Sequence, residues 1–312
     1  MRVWSIVGIS LIMAPLVLEG SSYVELNSRG MRYWPTESTV YGALRRKSIA
    51  GAICLQFPWT NAVLRKRCSE AQCKNGVPNN GQPLFTVYEP GYRWHVILDH
   101  LKRLQVTHIF CAGASHDGLM GDVYVAPIVY APKVVVKPAR VKDILYSFVG
   151  TSRFECAKGP CPLRKRVLAL PPKNDCILLD RGAAHATTGG ARKAKFEQEY
   201  RNIISRSRFG LCPRGTSPGT YRFAELLIAG AIPVVFADKL CLPRGFDWDN
   251  CVIRIPEKDV ELTDDIIRSI SPERENLLRS NCVRLATILR DDPAYFIRKF
   301  FELEGRTDAQ QY

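Results

Sequence analysis

The residues Pro213-Arg214-Gly215-Thr216-Ser217-Pro218-Gly219-Thr220-Tyr221-Arg222-Phe223 bring two arginines, two glycines and the hydroxyls of Thr216, Ser217 and Thr220 into one short segment. The apolar run Phe209-Gly210-Leu211-Cys212 before it reads as a buried strand, and Tyr221 to Ala229, stopped at Gly230, reads as a helix. A loop between a strand and a helix directs backbone N–H groups and the helix N-terminal dipole at whatever lies over it, which suits an anion. Arg214 and Arg222 add fixed positive charge, and Ser217 and Thr220 add hydroxyl donors. With Gly215 and Gly219 these residues form a candidate cradle for a diphosphate. Glu225, one turn into the helix, is placed to accept hydrogen bonds from ribose or sugar hydroxyls. No lysine follows the last glycine and the GxGxxG spacing is absent, so kinase-like and dehydrogenase readings lose support.

The elements that must hold this loop alternate between strand and helix from about Trp94 onward. Trp94, Leu98, Leu101 and Leu104 recur at helical spacing and precede the apolar run Val106 to Cys111. Tyr124 to Tyr130 and Lys133 to Val136 are β-rich, while Ile144 to Val149 and Cys176 to Leu179 read as buried strands. Between Ala191 and Ser207 one face of a helix is apolar, and Ile232 to Phe236 is again a strand. Late helices start at Ser271-Pro272 and Asp292-Pro293, each with proline at the first helical position behind a polar cap. Such alternation predicts an α/β fold with mainly parallel sheets and ligands at the carboxyl ends of the strands.

The stretch Ser207 to Gly215, then Arg222-Phe223-Ala224-Glu225-Leu226-Leu227, Gly230-Ala231-Ile232-Pro233-Val234-Val235 and Leu242-Pro243 resembles the exostosin family of glycosyltransferases in order and spacing. Upstream, Ser147-Phe148-Val149-Gly150 is similar to the strand that opens the family's donor-binding half, Arg164 or Arg166 stands where that half has an arginine, and His116-Asp117-Gly118 looks like the family's His-Asp turn in the acceptor-side half. The resemblance spans about residues 92 to 300. It implies a GT-B arrangement, two Rossmann-like domains facing a cleft, here with a shortened N-terminal half. It also implies inverting transfer from a nucleotide-sugar donor, such as a UDP-sugar, to a polysaccharide or glycan acceptor. GT-B enzymes generally offset the departing diphosphate with helix dipoles and basic side chains, so no cofactor is required and a divalent cation is not implied. Arg214, Ser217, Arg222 and Glu225 would hold nucleotide and sugar. An inverting transfer needs a general base, for which Asp117 and His116 are the candidates, with Glu89 behind them. The alternative, motivated by the short N-terminal half, is a non-catalytic relative that binds glycan or supports a partner transferase.

The chain has 312 residues, 46% hydrophobic and 24% charged, enough for one large or two modest α/β domains and too apolar for a disordered chain. A formal net charge of +14 favours polyanions or phosphorylated ligands. Nucleic acid is not among the expected partners, because no aromatic-basic RNA motif or metal-finger spacing occurs. Val3 to Leu18 is apolar apart from two serines and ends at Gly20-Ser21-Ser22, which reads as a signal peptide or signal-anchor over residues 1–20. The expectation is a secretory-pathway protein, in the Golgi lumen and membrane-attached if the anchor stays, secreted if it is cleaved. Behind it an acceptor-side domain over 21–143, a nucleotide-sugar domain over 144–305 and a tail over 306–312 are expected. Eleven cysteines suit an oxidising lumen, and the odd count leaves one for a free thiol or a disulfide-linked dimer. Cys68/Cys73 and Cys156/Cys161 each enclose four residues, a spacing for a small disulfide loop more than for zinc.

Overall fold

The computed structural model describes residues 23–25, 33, 35–64, 81–89, 94–152, 155–156, 159–160, 162–182 and 190–309. The leader and the sulfurs of Cys68, Cys73, Cys156 and Cys161 lie outside these. No helix among the described residues is long and apolar enough to cross a membrane.

Two sheets organise the chain, as the alternation predicts. The N-terminal sheet is built from β1 (Tyr23–Glu25), β2 (Ile53–Gln56), β3 (Leu84–Tyr88), β4 (His108–Ala112), β5 (Gly118–Met120) and β6 (Val123–Ile128), in the order β1-β2-β3-β4-β6-β5. All its pairings are parallel except β5 on β6. Helices α1 (Pro35–Arg46), α2 (Trp59–Leu64) and α3 (Leu98–Arg103) connect it. Burial on both faces explains its strands: β2, β3 and most of β4 are buried at every position, so they read as apolar runs and not as alternations. Val40, Tyr41 and Leu44 of α1 fill one face, and Trp59, Ile97 and Leu101 the other.

The C-terminal sheet contains β7 (Ile144–Gly150), β10 (Cys176–Asp180), β11 (Ser207–Pro213), β12 (Ile232–Phe236) and β13 (Ile253–Arg254), with the hairpin β8 (Glu155–Cys156) and β9 (Gly159–Pro160) outside it. Its helices are α4 (Pro162–Leu168), α5 (Gly190–Arg206), α6 (Tyr221–Ile228), α7 (Thr263–Arg268), α8 (Pro272–Asp291) and α9 (Tyr295–Ala309). The strand order is β10-β7-β11-β12-β13, every pair parallel. The chain leaves β7 towards β10 and returns across it to β11, so the order reverses there. In an open parallel sheet that reversal opens a crevice at the strands' carboxyl ends, and it is where ligands bind. β7 ends at Gly150 and β11 at Pro213, the first residue of the arginine loop. Among the described residues the parallel strands of the N-terminal sheet run in sequential order without such a reversal.

Helix α9 crosses back to the N-terminal sheet, where Phe300 and Phe301 pack edge-on to Phe110 at 5.3 and 5.7 Å and against His108 at 5.5 and 5.3 Å. It runs on to Ala309, past the expected domain end at 305. Its start is Tyr295 and not Pro293, because Asp292 Oδ1 accepts from Ala294 N at 3.1 Å and holds a turn first. Residues 133–136 are irregular where β structure is expected. Pro132 and Pro138 flank them, and the N–H groups of Lys133 and Val134 go to the Glu225 carboxylate, at 3.3 and 3.2 Å, instead of to a strand.

Candidate active site

Arg222 sits in the first turn of α6, whose N-cap is Thr220: the backbone there is extended and Thr220 Oγ1 accepts from Arg222 N at 3.4 Å. The helix start therefore fixes where the arginine leaves the backbone. Its guanidinium lies over the Phe148 ring, 4.4 Å from the centroid, and Nη2 donates to the carbonyl of Val149. Gly150 makes the room, since a Cβ there would stand 3.0 Å from Arg222 Nη2 and 2.6 Å from the Phe148 ring. Nε and Nη1 are buried and have no hydrogen-bond partner among the described residues. A guanidinium at the end of β7 with two desolvated donors unmet is chemically suited to an anionic acceptor such as a phosphate.

The other loop residues build the frame. Arg214 donates from Nε to Glu257 Oε1 at 2.7 Å, and the buried Arg164 donates from Nε to the Arg214 carbonyl at 3.1 Å. Gly215 N donates to Ser217 O at 3.2 Å, closing the turn. Arg166 is not brought to the loop: it clamps the surface segment 257–262 through Glu261 and the carbonyl of Glu257. Cys212 lies beneath the loop with its thiol pushed up to about 12 by burial, so it packs and does not attack.

Glu225 is buried, and its carboxylate accepts from Tyr200 OH at 2.6 Å as well as from the two linker N–H groups. It thereby ties α6 to α5 and to the segment that joins the two sheets. Glu225→Gln keeps an acceptor oxygen but loses the charge-assisted bonds. We expect it to fold with about 1 kcal/mol less stability, measured by urea unfolding.

The N-terminal sheet meets this loop through backbone. Gly113, at φ +66, ends β4 directly against Gly219. Ser217 Oγ donates to Gly113 O at 3.3 Å and accepts from Tyr130 OH at 3.2 Å, and Cys241 N donates to Ala114 O at 2.9 Å. A cavity of about 20 Å³ lies at this seam, lined by Gly113, Tyr130, Cys212, Gly219 and Leu242 among others, with room for about one water.

Asp117 is engaged on both oxygens: Oδ2 accepts from Arg244 Nε at 2.8 Å and Oδ1 from Tyr124 OH at 3.2 Å. It latches the two sheets. His116 is half-buried against Gly118. Glu89, just beyond β3, is fully buried; Oε2 accepts from Thr36 N at 2.7 Å, and Oε1 has no hydrogen-bond partner among the described residues. Burial pushes its carboxyl up to about 7, against the pull of the Thr36 N–H and of Lys133. The unfolded chain ionises this group near 4.5 while the folded chain keeps the proton, so stability falls as pH rises from about 4.5 to 7. Glu89→Gln is therefore expected to gain about 1–2 kcal/mol at pH 8 and nothing at pH 4, read from urea midpoints across that range.

Sequence reasoning finds Arg222 but not its seat. Phe148, Val149 and Gly150 reach the site only because β7 and β11 are neighbours, and no local pattern encodes that. Among the described residues no group of three or more His, Cys, Asp or Glu side chains is placed to hold a metal ion.

Two facing, mainly parallel sheets, the second with a reversal of strand order, give the fold class of the GT-B glycosyltransferases. Residues 133–270, the segment that contains β7 to β13 and the arginine loop, match the Exostosin GT47 domain. The chain is 34% identical over 125 residues to the probable beta-1,4-xylosyltransferase IRX10L of Arabidopsis thaliana, a match covering 38% of this chain and 28% of that protein. It is 35% identical over 85 residues to the exostosin-1 homolog of Caenorhabditis elegans, covering 27% and 22%. The matched parts thus amount to about a quarter of those relatives' lengths. The crystal structure of the pneumococcal O-GlcNAc transferase GtfA in complex with UDP and GlcNAc aligns with a TM-score of 0.39 at 11% identity, over 89% of this chain and 63% of that one.

Proposed function

We propose that the protein transfers a sugar from a nucleotide-sugar, a UDP-sugar, to a polysaccharide or glycan acceptor with inversion. The observation that carries this reading is the Arg222 guanidinium, buried at the carboxyl end of β7 with two donors unmet and the N-terminus of α6 beside it. Both stabilise a diphosphate more as its charge grows during departure, which is what lowers the barrier to transfer. Arg214, Gly215, Ser217, Gly219 and Thr220 shape the loop around that charge, and Arg164 holds it from below. The reading needs no metal.

A base must take the acceptor's proton. Asp117, His116 and Glu89 all stand at the carboxyl edge of the N-terminal sheet. Asp117 is committed to Arg244 and Tyr124, whereas Glu89 has the protonation range a base needs. The second reading, a non-catalytic relative that binds glycan or supports a partner transferase, draws on the same engagement of Asp117 and on that of Glu225. Residence in the secretory pathway, with the N-terminal segment as signal or anchor, belongs to the proposal through the apolar run Val3 to Leu18.

The test is a panel of UDP- and GDP-sugars screened for thermal stabilisation of the protein, followed by slow donor hydrolysis with the best binder. Stabilisation by a UDP-sugar with turnover supports the enzyme. Stabilisation without turnover supports the second reading, and no response from any donor contradicts both assignments of the arginine loop.

A further inference from the structure

Eleven cysteines are scattered through the sequence, and beyond the close spacings Cys68/Cys73 and Cys156/Cys161 nothing in it points to a pairing. Among the described residues one pair of sulfurs is in contact: Cys251 Sγ and Cys282 Sγ are 3.8 Å apart, and Cys282 Sγ lies 3.0 Å from the carbonyl oxygen of Cys251. Both residues are fully buried. Cys251 sits just ahead of β13, and Cys282 on the inward face of α8 beside Leu278 and Leu285. A disulfide needs the sulfurs at about 2.05 Å, so closure asks for a shift of roughly 1.8 Å, within reach of side-chain rotation and small backbone adjustment.

What the pair would staple matters for the site. The connection from β12 to β13 carries Leu240 and Leu242, which line the seam against the N-terminal sheet, and Arg244, which grips Asp117. Its far end is held by Trp248, whose Nε1 donates to Pro243 O at 2.6 Å and whose ring stacks on Phe296 at 5.6 Å. Helix α8 leads straight into α9, which crosses to the other sheet. A bond between Cys251 and Cys282 would therefore tie the loop that latches the two sheets to the helix pair that spans them.

We propose that Cys251 and Cys282 are a disulfide site, closed by thiol–disulfide exchange with a small disulfide oxidant or an oxidoreductase. Two S–H bonds and the oxidant's S–S bond break. One protein S–S bond and two thiols on the oxidant form, so the two electrons and two protons leave the protein together. Complete burial in the folded chain directs this chemistry to folding or to transient opening of α8, before both sulfurs are sealed. The proposal is independent of the donor reading and of where the protein resides.

The experiment refolds the reduced full-length protein in a buffer of oxidised and reduced glutathione, alkylates the free thiols, and maps peptides by mass spectrometry without reductant. The expected result is a linked peptide pair containing Cys251 and Cys282, absent from Cys251→Ser and from Cys282→Ala. The oxidised protein should melt roughly 5–10 °C above its reduced form, as a crosslink closing a loop of this length does. Hydrogen exchange should slow across 237–252 on oxidation, a change that the Cys251→Ala/Cys282→Ala double variant does not show. Recovery of both cysteines in alkylated form from folded, oxidised protein would overturn the assignment, as would a link from either to another cysteine. If refolding yields are low, the same map on protein made in an oxidising compartment decides between these outcomes.

Discussion

Arg222→Ala should weaken UDP binding roughly 10- to 100-fold, about 1.5–3 kcal/mol, while the protein still folds. In the free protein two of the guanidinium's donors are already desolvated and without acceptors, so most of the cost of burying them is met before a ligand arrives. A phosphate that reaches them as the loop opens collects that benefit. Removing the side chain forfeits that gain, together with one bond to Val149 O and the packing over Phe148. The structural loss is about 1 kcal/mol, because the carbonyl it leaves is at a strand end beside the crevice. Arg222→Lys separates charge from geometry: an ammonium restores attraction but cannot present two N–H groups in a fork, so affinity should recover only in part. Calorimetric titration of the three proteins with UDP makes the comparison. Unchanged affinity in a folded Arg222→Ala protein would show that the arginine loop binds something else.

Gly219→Ala should destabilise the protein by about 3 kcal/mol and abolish transfer even where donor binding survives. A Cβ at Gly219 would lie 2.4 Å from the Cα of Gly113 and 2.8 Å from the Tyr130 ring. Neither neighbour is the loose end of a side chain: one is backbone at the end of β4, the other a ring packed 4.7 Å from Tyr221. The only relief is to move the two sheets apart by about an ångström, which breaks the contacts of Ser217 with Gly113 and Tyr130. A base on one sheet and a donor on the other cannot tolerate that displacement, since proximity is what their arrangement supplies. Gly305→Ala is the control: no atom lies within 4 Å of its Cβ, and alanine in a helix is expected to be neutral or slightly stabilising. Urea unfolding of both variants, followed by donor titration, tests the claim.

The strand–loop–helix that carries Arg222 was readable because each part has a local signature. An apolar run, a Gly/Pro/Ser/Thr loop, and a helix bounded by Thr220 and Gly230 need only neighbours in sequence. Asp117 and Arg244 show the limit, for they meet across 127 positions and nothing local to either announces the other. The same holds for Gly113 with Gly219: a glycine can be seen in a sequence, but the backbone it makes room for cannot. Glu225 shows a subtler failure. Its position on α6 was readable, yet the groups it binds come from α5 and from the irregular segment 133–134, which composition alone marks as β-rich. Arg166 is the converse: basic and close to the expected position, it is drawn off by Glu261, whose carboxyl it holds down at about 2.

The proposed donor site lies at the reversal of strand order at β7, and hydrogen exchange with and without saturating UDP tests that placement on the full-length protein. Slower exchange confined to 149–152 and 213–223, lost in Arg222→Ala, is the predicted footprint. Protection centred on the N-terminal sheet, or none at a UDP concentration that stabilises the protein, would contradict a nucleotide site at the carboxyl ends of β7 and β11.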